Sequence, residues 1–130
     1  MPTKTIIQTT AAPAAVGPYS QAVRVGDLLF CAGQIPLDPA TGQLVAGDIR
    51  AQTRQVLQNI QAILTSQKLT LKHVVKTTVF LTDLADFAAM NQVYAEFFKR
   101  NPPVRTCVEV TRLPAGAHVE ITCIAVLPDK

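Results

Sequence analysis

The chain contains 130 residues, of which 48% are hydrophobic and 16% are charged, and its net charge is +3. This length fits one domain, spanning residues 1–130, that buries about two thirds of its unfolded surface. The 12 Lys and Arg residues are spread along the chain without a basic run, which argues against a protein built for nucleic acid. The N-terminus lacks the pattern of a signal peptide, and no segment approaches the roughly 18 apolar residues of a membrane span. We therefore expect a cytoplasmic protein that does not engage a membrane.

The first part of the sequence predicts short strands joined by turns. Residues 5–8 form a strand candidate, and residues 23–25 and 28–32 flank a Gly-Asp pair in the pattern of a β-hairpin. Gly33 ends the second of these strands, where the lack of a side chain lets another group approach the backbone. Tyr19 lies in the preceding turn, and it fits either a buried tyrosine with a bonded hydroxyl or a pocket wall.

Two amphipathic segments separated by one strand predict the helices. Asp48 is placed to cap a helix that ends near Lys68. Residues 74–81 predict a strand, after which Asp83 is placed to cap a second helix that runs to about Lys99. The second helix is expected to face the core through Phe87, Met90, Tyr94, Phe97 and Phe98. This order predicts an α+β fold in which both helices cover one face of a mixed sheet.

The chain after the second helix concentrates the candidates for chemistry. Two prolines end that helix, and the strand that follows alternates so that Arg105, Cys107 and Glu109 share one face. A guanidinium beside a thiol suits a sheet face only where an anion is expected. After a loop, a strand over residues 118–127 is predicted to return as a hairpin and to bring Glu120 close to Arg105 and Cys107. The same pattern also fits a cross-strand salt bridge on a solvated face.

Two of the predicted strands, at residues 74–81 and 119–127, carry apolar side chains on both faces. Helices on one side leave the other face in water, at a cost of about 25 cal/mol for each Å² of exposed apolar area. A symmetric oligomer that buries this face is the simplest solution, and a pocket would then lie between subunits.

Motifs for metals and thiol chemistry are missing from the sequence. His73 and His118 stand alone, and Cys31, Cys107 and Cys123 match neither a zinc spacing nor a redox pair. There is no phosphate-binding glycine loop and no dinucleotide fingerprint. We expect reduced thiols and no metal site.

Several segments together resemble the Rid family of reactive-intermediate deaminases, in the RidA branch formerly called YjgF. They are GPYSQA at 17–22, GQIP at 33–36, KTTVFLTDL at 76–84, and residues 103–110 with the later Leu113, Pro114 and Glu120. The resemblance implies a chorismate-mutase-like α+β fold and a homotrimer with active sites between subunits. It also implies an enamine and imine deaminase that needs neither metal nor organic cofactor. Such an enzyme hydrolyses 2-aminoacrylate, 2-aminocrotonate and their imino tautomers to 2-oxo acids and ammonia.

The family's site residues carry over to this sequence position by position. They fall on Arg105, Glu120 and Cys107 as the catalytic group, with Tyr19, Gly33 and Asn91 in substrate binding. The chemistry of these side chains agrees, because Arg105 can hold the substrate carboxylate and Glu120 is the candidate to position the attacking water or to shuttle its proton. Cys107 has no histidine partner in the pattern, so our hypothesis is that it lines the pocket and offers backbone groups to the water. One position departs from the pattern, because Ala32 stands where many members have a serine.

Two other functions remain open at this stage. One is an endoribonuclease that inhibits translation, although the chain lacks a paired-histidine arrangement and an aromatic platform among basic residues. The other is a non-catalytic module that binds 2-oxo acids or acts like a chaperone, which would use Arg105 but would not require Glu120.

Overall fold

The computed structural model describes residues 3–128, which fold into one mixed sheet with two α-helices packed on one face. The helices are α1 (Ile49–Ser66) and α2 (Phe87–Phe97). The strands are β1 (Lys4–Ile7), β2 (Ala22–Val25), β3 (Leu28–Gln34), β4 (Val74–Leu81), β5 (Val104–Glu109) and β6 (Val119–Val126). The α+β class and the chorismate-mutase-like arrangement implied by the resemblance are confirmed.

The strand order across the sheet is β1-β2-β3-β6-β4-β5. Strand β5 is parallel to β4, and β6 lies antiparallel between β3 and β4. The predicted hairpin between the last two strands is therefore wrong, because β4 separates β5 from β6. The loop that joins them crosses the end of β4, where Val110 N donates to Leu81 O at 2.8 Å. A strand, helix and strand in succession favour parallel neighbours, and this preference decides the position of β5.

Helix α1 forms as predicted because its cap and its apolar stripe agree. Asp48 Oδ1 accepts from Ala51 N at 3.1 Å, and buried residues such as Val56, Leu57 and Ile60 recur at helical spacing. Asp83 caps a 3₁₀ turn over Leu84–Asp86 rather than α2 itself, which starts at Phe87. The second helix is thus shorter at both ends than the sequence suggested.

Both helices bury the same face of the sheet. Alternate residues of the central strands, among them Leu29, Val79, Leu81, Val119 and Ile121, are almost inaccessible and join one hydrophobic cluster with the helices. Each buried Leu, Ile or Val contributes roughly 1.5–3 kcal/mol relative to an exposed one. The described residues therefore share a single core.

The opposite face of the sheet has no helix over it, and it carries large apolar side chains. One register row across the strands includes Ile6, Phe30 and Val104, whose side chains are 53%, 40% and 68% exposed. We call this surface the open face. The exposed Lys76 lies in the same row beside Val104, so the apolar side chains on this face are grouped rather than continuous. Exposed apolar side chains grouped on one uncovered face are typical of interaction surfaces.

Within residues 3–128, neither helix combines the length and the apolar character that crossing a bilayer requires.

Candidate active site

Arg105 lies on β5, at the edge of the sheet, and its side chain points to the helix side. Its Nη1 donates to Asn91 Oδ1 of α2 at 2.7 Å. The guanidinium carbon lies 4.8 Å from the centroid of the Tyr94 ring and 5.5 Å from that of Phe87. Cation–π contacts on two rings and one hydrogen bond hold the group half-buried, with donors left over for a ligand.

Cys107 follows Arg105 on the same face of β5 and is also half-buried. Burial raises the pKa of the Cys107 thiol, and the nearby positive charge of Arg105 opposes this only in part. The sulfur is therefore protonated at neutral pH, when a nucleophile would need the thiolate. Asn91, Arg105 and Cys107 form one group, which we call the arginine half-site.

Glu120 lies on β6, and its side chain points to the open face. Burial raises the pKa of the Glu120 carboxyl above its ordinary value. The carboxyl packs directly against the backbone of Gly33, so closely that a Cβ built on Gly33 would lie 2.5 Å from Glu120 Oε2. The sheet bulges between Cys31 and Gln34, and bulges of this kind re-aim side chains next to functional sites.

A cavity of about 360 Å³ opens beside this carboxyl. Tyr19 forms part of its wall and is half-exposed, and its hydroxyl accepts from Val16 N at 3.2 Å. Tyr19 is thus a pocket residue and not a core tyrosine. The remaining lining is mainly apolar and includes Ala32, Ile35 and Pro114. Tyr19, Gly33 and Glu120 form a second group, which we call the glutamate half-site.

The two half-sites do not meet within one chain. In the register of the sheet, Arg105 shares its row with Thr77 and Cys123 on the helix side, and Glu120 shares its row with Phe80 on the open face. The expectation that a hairpin brings the two charges together is therefore wrong for a single chain. Their salt bridge is excluded for the same reason, since the ion pair within residues 3–128 joins Arg54 to Glu96.

Other candidates from the sequence have structural contacts instead. Glu109 Oε1 accepts from Leu84 N at 2.8 Å at the start of the 3₁₀ turn, and His118 Nδ1 lies 3.2 Å from Thr82 Oγ1. Among residues 3–128, His, Cys, Asp and Glu side chains form no group of three that could hold a metal ion. A cleft of about 370 Å³ adjoins the Glu120 cavity through Tyr19, and another of about 520 Å³ lies elsewhere on the surface; neither is lined by Arg105 or Glu120.

The contact of aromatic residues with the Arg105 guanidinium was not predicted from the sequence. The sequence predicted Phe87 and Tyr94 to lie in the core, whereas both also contact the guanidinium. One signal was present, because residues 87, 91 and 94 follow the i, i+4, i+7 spacing of one helix stripe. That spacing could identify Arg105 as the partner only once β5 was placed beside β4.

The structure is thus an α+β domain that carries a half-buried arginine on the helix side of its sheet and a half-buried glutamate beside a cavity on the other side. The endoribonuclease L-PSP family model matches residues 9–127. The chain belongs to this family, which is the Rid family that the sequence motifs indicate.

Three similar proteins illustrate the relationship. A RutC family protein from Pyrococcus horikoshii is 55% identical over 122 residues, which cover 94% of this chain and 97% of the relative. The Rid family protein YyfA from Yersinia pestis, described as of unknown function, has 46% identity and a TM-score of 0.92, covering 96% of this chain and 100% of that one. TdcF from E. coli, solved with bound serine, has 45% identity and a TM-score of 0.91, covering 95% and 99%.

Proposed function

We propose that this protein hydrolyses 2-imino acids and their enamine tautomers to 2-oxo acids and ammonia. The observation that carries the proposal is the pair of half-sites: an arginine positioned for a carboxylate, and a glutamate with a raised pKa beside a cavity. A 2-imino acid presents a carboxylate next to a C=N bond. Arg105 would bind the carboxylate, and Glu120 would assist the reaction at the C=N bond.

The reaction follows from what each side chain can do. Arg105 donates two parallel hydrogen bonds to the carboxylate, and this fixes the direction of the adjacent C=N bond. Glu120 takes a proton from water as the oxygen adds to the imine carbon. It returns this proton to nitrogen, which gives a carbon bearing both a hydroxyl and an amine. Glu120 then takes the hydroxyl proton and passes it to the amine, so that the C–N bond breaks as the C=O bond forms, and ammonia leaves with the 2-oxo acid. A raised pKa suits this role, because a base with a pKa closer to the working pH transfers protons more effectively.

The two half-sites require a second copy of the chain. We propose a homotrimer in which the arginine half-site of one subunit faces the glutamate half-site of the next. Two different surfaces that join head to tail generate a closed ring, and the same contact would cover apolar area of the open face. The three-fold number comes from the family resemblance.

Cys107 is proposed to line the site without forming a covalent bond to the substrate. Its raised pKa leaves little thiolate, and among residues 3–128 no histidine hydrogen-bonds to it. Cys107→Ser is therefore expected to retain at least about a third of wild-type kcat/KM. Arg105→Ala is expected to lose about 100-fold or more, since two charge-assisted hydrogen bonds disappear.

The deciding experiment couples the protein to a threonine dehydratase, which releases the four-carbon imino acid. The rate of 2-oxobutyrate formation is measured where spontaneous hydrolysis is slower than imine formation. Wild type should accelerate 2-oxobutyrate release, whereas Glu120→Ala should return it to the spontaneous rate. Equal activity of wild type and Glu120→Ala, or equal losses in Cys107→Ser and Arg105→Ala, would contradict the assigned roles.

A non-catalytic function has one specific observation in its favour, because E. coli TdcF was solved with bound serine. A module that only senses small acids would bind 2-oxobutyrate through Arg105 but leave the hydrolysis rate unchanged. The same coupled assay separates this function from catalysis. The endoribonuclease description of the family model leads to a different test, since true phosphate contacts give RNA binding a steep salt dependence.

A further inference from the structure

Three of the side chains around Arg105 come from one stripe of α2. Phe87, Asn91 and Tyr94 contact the guanidinium from successive turns of this helix. Asn91 contributes a hydrogen bond, and the two rings contribute their faces. The orientation of the guanidinium therefore depends on how firmly these side chains are held.

Tyr94 is held more firmly than a ring packed by apolar contacts alone. Its hydroxyl lies 2.7 Å from Thr77 Oγ1, and both side chains are buried. Its ring also packs against Phe98, with the centroids 4.6 Å apart. A buried hydrogen bond of this kind fixes the ring plane, because breaking it leaves polar atoms without partners.

Thr77 is also the direct neighbour of Arg105 in the sheet. The two residues are paired across β4 and β5, so Thr77, Tyr94 and Arg105 form a closed set of contacts. The strand next to Arg105 thus orients the ring on which the guanidinium rests. The Tyr94 ring is therefore fixed to β4, the strand that pairs with the strand carrying Arg105.

We propose that Tyr94, oriented by Thr77, is a positioning residue that sets the plane of the Arg105 guanidinium for a ligand carboxylate. The inference rests on the proposed function and extends it to how the carboxylate is recognised. A fork of two parallel hydrogen bonds requires a defined plane, and a tilted guanidinium offers one good bond instead of two.

The test uses 2-oxobutyrate as a carboxylate probe, with affinity measured by calorimetry and stability measured by thermal unfolding. Tyr94→Phe keeps the ring and removes its hydroxyl, and Thr77→Val keeps the shape and removes the hydroxyl partner. Each is expected to weaken 2-oxobutyrate binding by about three- to ten-fold, less than the full loss of one charge-assisted hydrogen bond, because a tilted guanidinium weakens the second bond without removing it. Thr53→Val is the matched control, because Thr53 is a buried threonine whose hydroxyl bonds to Ile49 O within α1.

The double variant Thr77→Val/Tyr94→Phe separates positioning from simple stabilisation. It leaves neither hydroxyl of the pair unsatisfied, so it should unfold at a higher temperature than the less stable single variant. Its affinity for 2-oxobutyrate should nevertheless stay as weak as that of the single variants, because nothing orients the ring. If the affinity for 2-oxobutyrate recovered together with stability, the contact between Thr77 and Tyr94 would be only structural, and the inference would be overturned.

Two further results would also decide against it. Affinities of both single variants within two-fold of wild type would overturn this inference and leave the proposed function standing. A wild-type protein that fails to bind 2-oxobutyrate would overturn the inference together with the carboxylate role of Arg105. Thr53→Val, whose hydroxyl bonds only within α1, should leave the affinity for 2-oxobutyrate unchanged.

Discussion

Glu120 and Gly33 lie on different strands, yet the position of the carboxylate depends on both. The carboxyl occupies the space that a side chain at residue 33 would fill, beside the bulge in β3. The same crowding removes water from Glu120 and raises the pKa of its carboxyl. One glycine therefore influences both where the proposed base is placed and how readily it accepts a proton.

The raised pKa of Glu120 predicts a pH dependence with a defined direction. The carboxylate can accept a proton and the carboxylic acid cannot. After spontaneous hydrolysis is subtracted, kcat/KM should therefore fall as the pH is lowered. The midpoint should lie above 4.5, the ordinary value for a glutamate, because burial favours the protonated form. Activity profiles of wild type against pH, with Glu120→Gln as the inactive control, measure this midpoint. A midpoint at or below 4.5 would mean that the positive charge of the neighbouring subunit's Arg105 outweighs burial at Glu120, whereas kcat/KM that does not fall on acidification would contradict the assignment.

The same shift predicts a change in stability that needs no substrate. A carboxyl whose pKa is raised by folding stabilises the fold fully at low pH, and this stability is lost as the pH rises through the folded-state pKa. Glu120→Gln stays neutral and should unfold at a higher temperature than wild type near pH 7. The difference between the two unfolding temperatures should vanish at about pH 4, where Glu120 of the wild type is also neutral. Thermal unfolding at both pH values measures it.

Gly33→Ala tests the close approach directly. Gly33 does not require positive φ, so alanine fits the backbone, but its methyl group would occupy the place of the Glu120 carboxyl. The flexible carboxyl can move away at little cost in stability. We expect kcat/KM to fall by about ten-fold or more and the unfolding temperature to change little, since small displacements of a catalytic group are costly. Ala32→Gly, one residue earlier, is the neighbouring control, and a Gly33→Ala variant with full activity would show that the carboxyl position is unimportant.

At the scale of elements, local signals predicted what each segment is but not which segments are neighbours. Asp48 and the apolar stripe after it were enough to predict α1, and alternation placed Arg105 and Cys107 on one face of β5. The hairpin between β5 and β6 was wrong because a connection of this length, nine residues (110–118) in the structure, suits either a hairpin or a path across the end of another strand. The choice depends on hydrogen bonds between β4 and β5, whose residues are separated by a whole helix. The order strand, helix, strand favours the parallel pairing of β4 with β5, whereas the short connection between β5 and β6 favours a hairpin, and the alternation of residues does not choose between them.

Strand pairing also determines how the three cysteines react. Cys31 and Cys123 face each other across β3 and β6 under the helices, and the neighbouring Cys31 thiol together with burial raises the pKa of the Cys123 thiol. Cys107 lies at the sheet edge and is half-buried. We expect one thiol to react with an aromatic disulfide reagent in the native protein, more slowly than free cysteine, and all three to react after unfolding. Cys107→Ser should remove the native reaction, and rapid labelling of all three thiols in the folded state would contradict the burial.

In the whole molecule, the arginine half-site and the glutamate half-site lie on opposite faces of one sheet. Moving side chains within a single chain therefore cannot bring Arg105 and Glu120 together. The open face supplies the reason for association, because Ile6, Phe30 and Val104 remain exposed in an isolated chain. The sequence indicated an uncovered face from the double-sided apolar strands. It could not indicate that Arg105 and Glu120 would be divided between the two faces, since this depends on the placement of β4 between β5 and β6.

If each active site takes Arg105 from one subunit and Glu120 from another, two inactive variants should restore activity when they assemble together. A site is intact when its arginine comes from a Glu120→Ala chain and its glutamate comes from an Arg105→Ala chain. When equal amounts of the two variants assemble at random, a site receives an intact arginine with a probability of one half and an intact glutamate with a probability of one half. About a quarter of the sites should therefore recover. The measurement is imine hydrolysis after the two variants are unfolded together and refolded, compared with variants refolded separately and then mixed. The mass of the refolded particle, relative to 14.0 kDa for one chain, gives the number of subunits. Because a site built within one chain would recover no activity in any mixture, a particle of the expected mass without restored turnover would refute the shared site while leaving the oligomer intact.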